Sequence, residues 1–155
     1  MAYSTEKSRY LNPDIKLAKP VNGWVSLMVG PDTIISNISY INPFLLEDLL
    51  VFMRDVAAEN LAHINLDCEG DGMAHLFHTE TGDLFVIAPE NSMPQLCARE
   101  YLFLNPSDAA DAAHALADSI EENIEAWRTW AEYDDQDEED PIMTPEEVIR
   151  ALRDI

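Results

Sequence analysis

The sequence predicts an α+β fold: a mainly antiparallel sheet of five to six strands, two main helices on one face and a short C-terminal helix. Three observations predict it. Short apolar, β-prone stretches separated by Gly-, Pro- and Asp-containing turns run from Trp24 to Ile41 and from His63 to Leu104, which is the pattern of hairpin-linked strands. Two segments, opening at Asn42-Pro43 and Asn105-Pro106, carry apolar residues at three- and four-residue steps, the period of a helix with one buried face. Tight turns between successive strands favour antiparallel pairing, with helices covering one face.

Taken in order, residues 1–22 hold four of the nine basic residues (Lys7, Arg9, Lys16, Lys19) and little periodicity, and read as a basic N-terminal arm or extended strap. The core domain spans residues 23–133. Trp24-Val-Ser-Leu-Met-Val and Thr33 to Ile41 form a hairpin around Gly30-Pro31-Asp32. Asn42 then serves as N-cap with Pro43 at the first helical position. Leu45, Leu46, Leu49, Met53, Val56 and Ala57 give that helix its core stripe, up to about Asn60. Strands follow at 63–69, 73–79, 84–88 and 99–104, with turns at Gly70-Asp71-Gly72 and Glu80 to Asp83.

The longest helix starts at Asn105 or Ser107. Ala109, Ala113, Leu116, Ile120, Ile124, Trp127 and Ala131 follow at steps of 4, 3, 4, 4, 3 and 4, one continuous apolar seam. Residues 134–143 form an acidic linker, with six acids among the seven residues from Asp134 to Asp140. The final segment, 144–155, opens with Thr144-Pro-Glu-Glu, a capping box with Pro at the first helical position. Val148, Ile149, Leu152 and Ile155 give it an apolar face. A helix this short is marginal alone, so that face must dock, on its own domain or on a partner.

Composition bounds the function. The 155 residues are 47% apolar, enough for a real core, yet 30 Asp and Glu against nine Lys and Arg leave a net charge of −21. Such a chain repels nucleic acid and anionic lipid, whose binding needs cations to displace counterions. It attracts basic proteins, with association hastened by long-range steering. No apolar run approaches the roughly 20 residues that cross a bilayer, and the N-terminus lacks an apolar signal stretch. Cys68 and Cys97 read as small buried hydrophobes rather than a disulfide framework. A cytoplasmic location is the expectation.

No string carries a known chemistry. Asp67-Cys-Glu-Gly-Asp-Gly matches the first six positions of an EF-hand loop, but His78 stands where the bidentate Glu belongs and the flanks read as strands. His63, His75 and His78 do not form a metal set, because His75 and His78 point to opposite faces of one strand. His114 needs only a surface role. There is no Gly-x-Ser-x-Gly, no Gly-rich phosphate loop and no paired Cys-x-x-Cys. No catalytic residue, metal or cofactor is expected.

The acidic faces remain. Asp111, Asp118, Glu122 and Glu125, at steps of 7, 4 and 3, form a stripe roughly opposite the apolar seam of the long helix. Apart from Arg54 and Arg99, residues 20–127 contain no Lys or Arg to offset it. Trp130 and Tyr133, just beyond the seam, are candidate exposed anchors, and Asp67, Glu69 and Asp71 supply a second acidic patch at a hairpin turn. Together these nine residues make up the expected partner-binding set.

The stretch Ile38-Ser-Tyr-Ile-Asn-Pro-Phe-Leu-Leu-Glu-Asp-Leu-Leu-Val-Phe-Met53, with Ile64-Asn-Leu-Asp-Cys-Glu-Gly70 and a short terminal helix after an acidic break, resembles a group of uncharacterised bacterial proteins over residues 24–155. In size and acidity the chain also resembles the immunity proteins of polymorphic and contact-dependent toxin systems. That resemblance implies tight binding to a basic nuclease domain, and it carries no residue roles. The expected function is therefore a non-enzymatic inhibitor of a basic toxin. A nucleic-acid mimic that occupies the DNA site of a defence enzyme, and an adaptor or chaperone-like partner, are the alternatives.

Overall fold

The computed structural model describes residues 14–87, 102–103, 105–130 and 143–155. Among these, seven strands and four helices follow one another. They are β1 (Ile15–Leu17), β2 (Trp24–Val29), β3 (Asp32–Ser39), α1 (Leu45–Ala57), β4 (Ala62–Asp67), β5 (Met73–His78), β6 (Asp83–Ile87), β7 (Leu102–Phe103), α2 (Ala109–Glu122), α3 (Ile124–Arg128) and α4 (Pro145–Arg153). The fold is mixed helix and strand, and every strand pairing is antiparallel.

The expected single sheet is two. One sheet has the order β1-β2-β3, the other β4-β5-β6-β7. The reason lies in β3. Asn37 sits in the left-handed region at φ 59°, and the register against β2 shifts between Val25 and Met28. Buried residues therefore come in pairs, Ile34-Ile35 and Ile38-Ser39, instead of alternating. A strand broken in this way offers no continuous ladder to β4. Side chains close the gap instead. The Asn42 Nδ2 donates to the carbonyls of Ser39 (2.7 Å) and Asp67 (2.9 Å), while its Oδ1 accepts from the Asp67 amide at 2.9 Å.

That use of Asn42 also corrects its expected role. The cap position of α1 is Phe44, with no side-chain cap, because the Asn42 amide is already committed to the sheet junction. Leu45, Leu49, Leu50, Phe52, Met53 and Val56 form the buried face of α1, which packs on β4.

Residues 15–17, placed within an arm by the sequence, are a core strand. Ile15 and Leu17 are 4% and 2% exposed and lie opposite Val29 and Leu27. The Leu17 amide donates to Ser119 Oγ at 3.1 Å, so α2 holds this edge strand in place. Three residues with two apolar positions flanking one lysine are too short a signal for a strand to be read from alternation.

The long helix, expected to run unbroken to Ala131, breaks at Asn123 (φ −118°, ψ 33°). Asn105 caps the preceding 3₁₀ turn by accepting from the Ser107 amide. The apolar seam survives the break: Ala109, Ala113, Leu116, Ile120 and Trp127 are all buried. The capping box of α4 is present with both of its bonds. Val148 and Leu152 are fully buried, and α4 packs on α2, α1 and α3. Its apolar face thus docks on its own domain. No described helix is long and apolar enough to cross a membrane.

Two substitutions test these supports. Asn42→Ala removes the side-chain partner of the Asp67 amide and carbonyl and leaves the Ser39 carbonyl only the backbone amide of residue 42, and is expected to cost about 2–4 kcal/mol by urea unfolding. Leu152→Ala, which cuts a cavity under α4, is expected to cost about 2–4 kcal/mol with an unchanged m-value. An m-value that fell with Leu152→Ala would mean that α4 unfolds separately from the rest.

Candidate partner-binding surface

The nine expected binding residues fall into three situations. Asp67, Glu69 and Asp71 lie together on the β4–β5 connection, where residues 69–71 form a 3₁₀ turn. Three local features shape it. Asp67 Oδ1 accepts from the Glu69 amide at 2.7 Å, and the amide of Cys68 donates to the Gly72 carbonyl at 2.9 Å. Gly72 takes φ 106°, a backbone that side chains disfavour. The turn is anchored on β3: Ser39 Oγ donates to Glu69 Oε2 at 2.5 Å, and Asn37 Nδ2 reaches Asp71 Oδ2 at 3.4 Å. No described cation faces these carboxylates, which makes the turn a fixed anionic ledge.

Cys68 lies beneath that ledge, 1% exposed. Burial first, then the nearby Asp71 and Asp67 charges, push its thiol up to about 11. It is an inert packing group, in line with its expected role; Cys97 lies outside the described residues.

On α2 the stripe is divided. Asp111 and Glu122 are exposed and meet no cation among the described residues. Asp118 is paired: Arg153 of α4 reaches its Oδ1 at 2.9 Å and also binds Glu121. Glu125 is paired with Arg128, which holds Glu146 at 2.6 Å as well. The hydrogen bond to Glu146 raises the Arg128 pKa, and the same bond lowers that of Glu146. The absence of offsetting cations within residues 20–127 is thus partly made good from outside that range, by Arg128 and the last turn of α4. The break at Asn123 also interrupts the stripe between Glu122 and Glu125.

Trp130 is not an exposed anchor. It is 3% exposed, its ring centroid lies 5.3 Å from that of Trp127, and its Nε1 donates to the Asn42 carbonyl at 2.9 Å. Trp130 follows Trp127 by three residues and shares its buried side. Tyr133 lies outside the described residues. The exposed indole is Trp24, at 38%, with Val21 at 59% three residues before it and Ile41 at 38% two residues past its cross-strand partner Ser39. Trp24 is the Cα partner of Ser39, whose hydroxyl binds Glu69. The exposed indole and the anionic ledge are thus linked through one residue, Ser39. Sequence pattern marks Trp24 only as part of an apolar strand; its position at the first residue of β2, just after Gly23, is the one local signal of exposure.

The histidines divide as the alternation of β5 dictates. His78 is buried, whereas His63 and His75 share the outer face of the second sheet. The pairing of β4 with β5 brings those two rings together, which one strand's alternation does not reveal. Among the described residues no three His, Cys, Asp or Glu side chains converge as a metal-binding group.

The chain matches no protein-family model, no curated protein and no solved structure.

The environment of Cys68 yields a direct expectation. In a Cys97→Ser background, Cys68 stays unlabelled by a thiol reagent at pH 8 until denaturant unfolds the chain, because the thiolate is the reactive form. Rapid labelling of the native protein would contradict both its burial and the raised pKa.

Proposed function

We propose that this protein is a non-enzymatic binding protein for a basic protein partner, acting as an immunity-type inhibitor of a nuclease-like toxin in the cytoplasm. The observation that carries the reading is a fixed anionic ledge and an exposed aromatic that both connect to Ser39: Trp24 is its cross-strand partner, and its hydroxyl binds Glu69. Interfaces of high affinity are built around a few aromatic anchors ringed by polar groups. Carboxylates held in place speed the encounter with a cationic partner and fix its orientation.

The alternative of a nucleic-acid mimic fits less well. Such a mimic needs carboxylates spaced evenly along one face, as phosphates are along a duplex. Here the helical stripe is interrupted at Asn123, and two of its four acids are spent on Arg128 and Arg153. The adaptor reading rests on a detachable C-terminal helix and a basic arm; the buried face of α4 weakens the first, and the pairing of Ile15–Leu17 with β2 takes those residues out of the second.

The test is capture of the partner with the tagged protein, washed at low and then at high salt, followed by kinetics with the purified partner. The expected outcome is one basic partner retained at high salt. Glu69→Gln with Asp71→Asn should slow association and flatten its salt dependence, and Trp24→Ala should speed dissociation about tenfold or more. A set of DNA-binding proteins that washes off with salt would replace this reading with the mimic.

A further inference from the structure

We propose that His63 and His75 form a cross-strand site for one imidazole-preferring divalent cation of the zinc or copper class. His63 Nε2 and His75 Nδ1 approach to 3.3 Å. Metal–nitrogen bonds of about 2.0–2.1 Å at a tetrahedral angle set two ligand nitrogens about 3.3–3.4 Å apart. The ring planes differ by 17° and the centroids lie 5.5 Å apart, close to the nitrogen gap plus two ring radii. The rings therefore meet edge to edge through these two nitrogens, with their in-plane lone-pair positions converging on one space. A small shift within their planes turns this head-on approach into the bent nitrogen–metal–nitrogen angle.

The surroundings hold the pair ready. His63 lies flat on Phe77, its cross-strand partner, with centroids 4.0 Å apart and planes within 1°. An in-plane shift preserves that stack. Asn65, the cross-strand partner of His75, brings its Oδ1 to 2.6 Å from His75 Nδ1. Asn65 Oδ1 can only accept, so this contact is a hydrogen bond when the neutral His75 ring carries its proton on Nδ1. On metal binding His75 keeps one proton, moved to Nε2, and Asn65 Oδ1 becomes free to serve as a third donor. Water completes the coordination of so exposed a site. The position lies on a rigid, paired strand face, which fixes the two nitrogens better than a loop could. The net charge of −21 raises the local cation concentration around the whole body, so the test must separate this site from diffuse attraction.

Zn2+ is titrated into the full chain by calorimetry at neutral pH, in physiological salt and an excess of Mg2+, an ion that prefers oxygen ligands. The expected result is one saturable Zn2+ per chain. His63→Phe, which keeps the stack on Phe77 but removes the donor nitrogen, should weaken it by about tenfold or more, as should His75→Gln. Imidazole NMR signals of His63 and His75 should shift together on Zn2+ addition while those of His78 and His114 stay fixed, a readout that needs no variant to fold. Zn2+ binding competed away by Mg2+, a loss below about tenfold in both variants, or shifts spread over all four histidines would overturn the proposal.

Discussion

The structure turns on the junction made by Asn42. Its side chain bonds three backbone groups, two of them on Asp67 of the second sheet and one on Ser39 of the first. Its own carbonyl accepts the Trp130 indole. One residue thus ties together the end of β3, the end of β4 and the terminus of the α2–α3 unit. An amide can do this because it carries two donors and a two-lone-pair acceptor on a short stem. Asp would repel the two carbonyls, and a longer amide would not fit between groups already at hydrogen-bond distance. The anionic ledge is built directly on that junction, since Asp67 belongs to both.

Charge shapes the remainder of the architecture more than it stabilises it. A body this acidic repels itself, and the fold answers by directing Arg128 and Arg153 onto carboxylates of α2, α3 and α4. These pairs are exposed, and exposed pairs contribute little. Burial of Val148, Ile149 and Leu152, at about 1.5–3 kcal/mol each, stabilises the docked helix far more and holds α4 in place. The ion pairs choose its register. Within α4 the charges also follow the helix dipole, with Glu146 and Glu147 in the first turn and Arg150 and Arg153 in the last.

What is legible in the sequence is whatever repeats or caps locally. The seam from Ala109 to Trp127, the β2–β3 hairpin, the β4–β5–β6 turns and the Thr144 capping box can all be read from spacing alone. Three things cannot. β1 is three residues long and is defined by its neighbours. The division into two sheets depends on a left-handed Asn37, and asparagine in a strand does not announce its φ. The inward turn of Trp130 depends on Asn42, 88 residues away. Proximity in sequence groups the acids of the ledge, and the 3₁₀ turn keeps them together, but the exposed indole is Trp24 and not Trp130. Composition identifies acids; only tertiary contacts decide which indole faces water.

The two surface features lie at different places on the fold, and that separation has a consequence. The ledge is set by β3 and the β4–β5 turn, whereas the histidine pair lies along the strands of β4 and β5 themselves. Both share β4 as a rigid element. A cation bridging His63 and His75 would bind the folded β4–β5 ladder and not the unfolded chain, so it would stabilise the same strand pair that presents the ledge. Coupling of this kind requires no change of shape. It needs only that the ladder open less often when the cation is bound, so that the carboxylates at its end spend less time out of place. A site that stiffens a binding surface would lengthen a partner's stay, while its added positive charge, at Asn65 and so one same-face step along β4 from Asp67, would lessen the field that draws a cationic partner in.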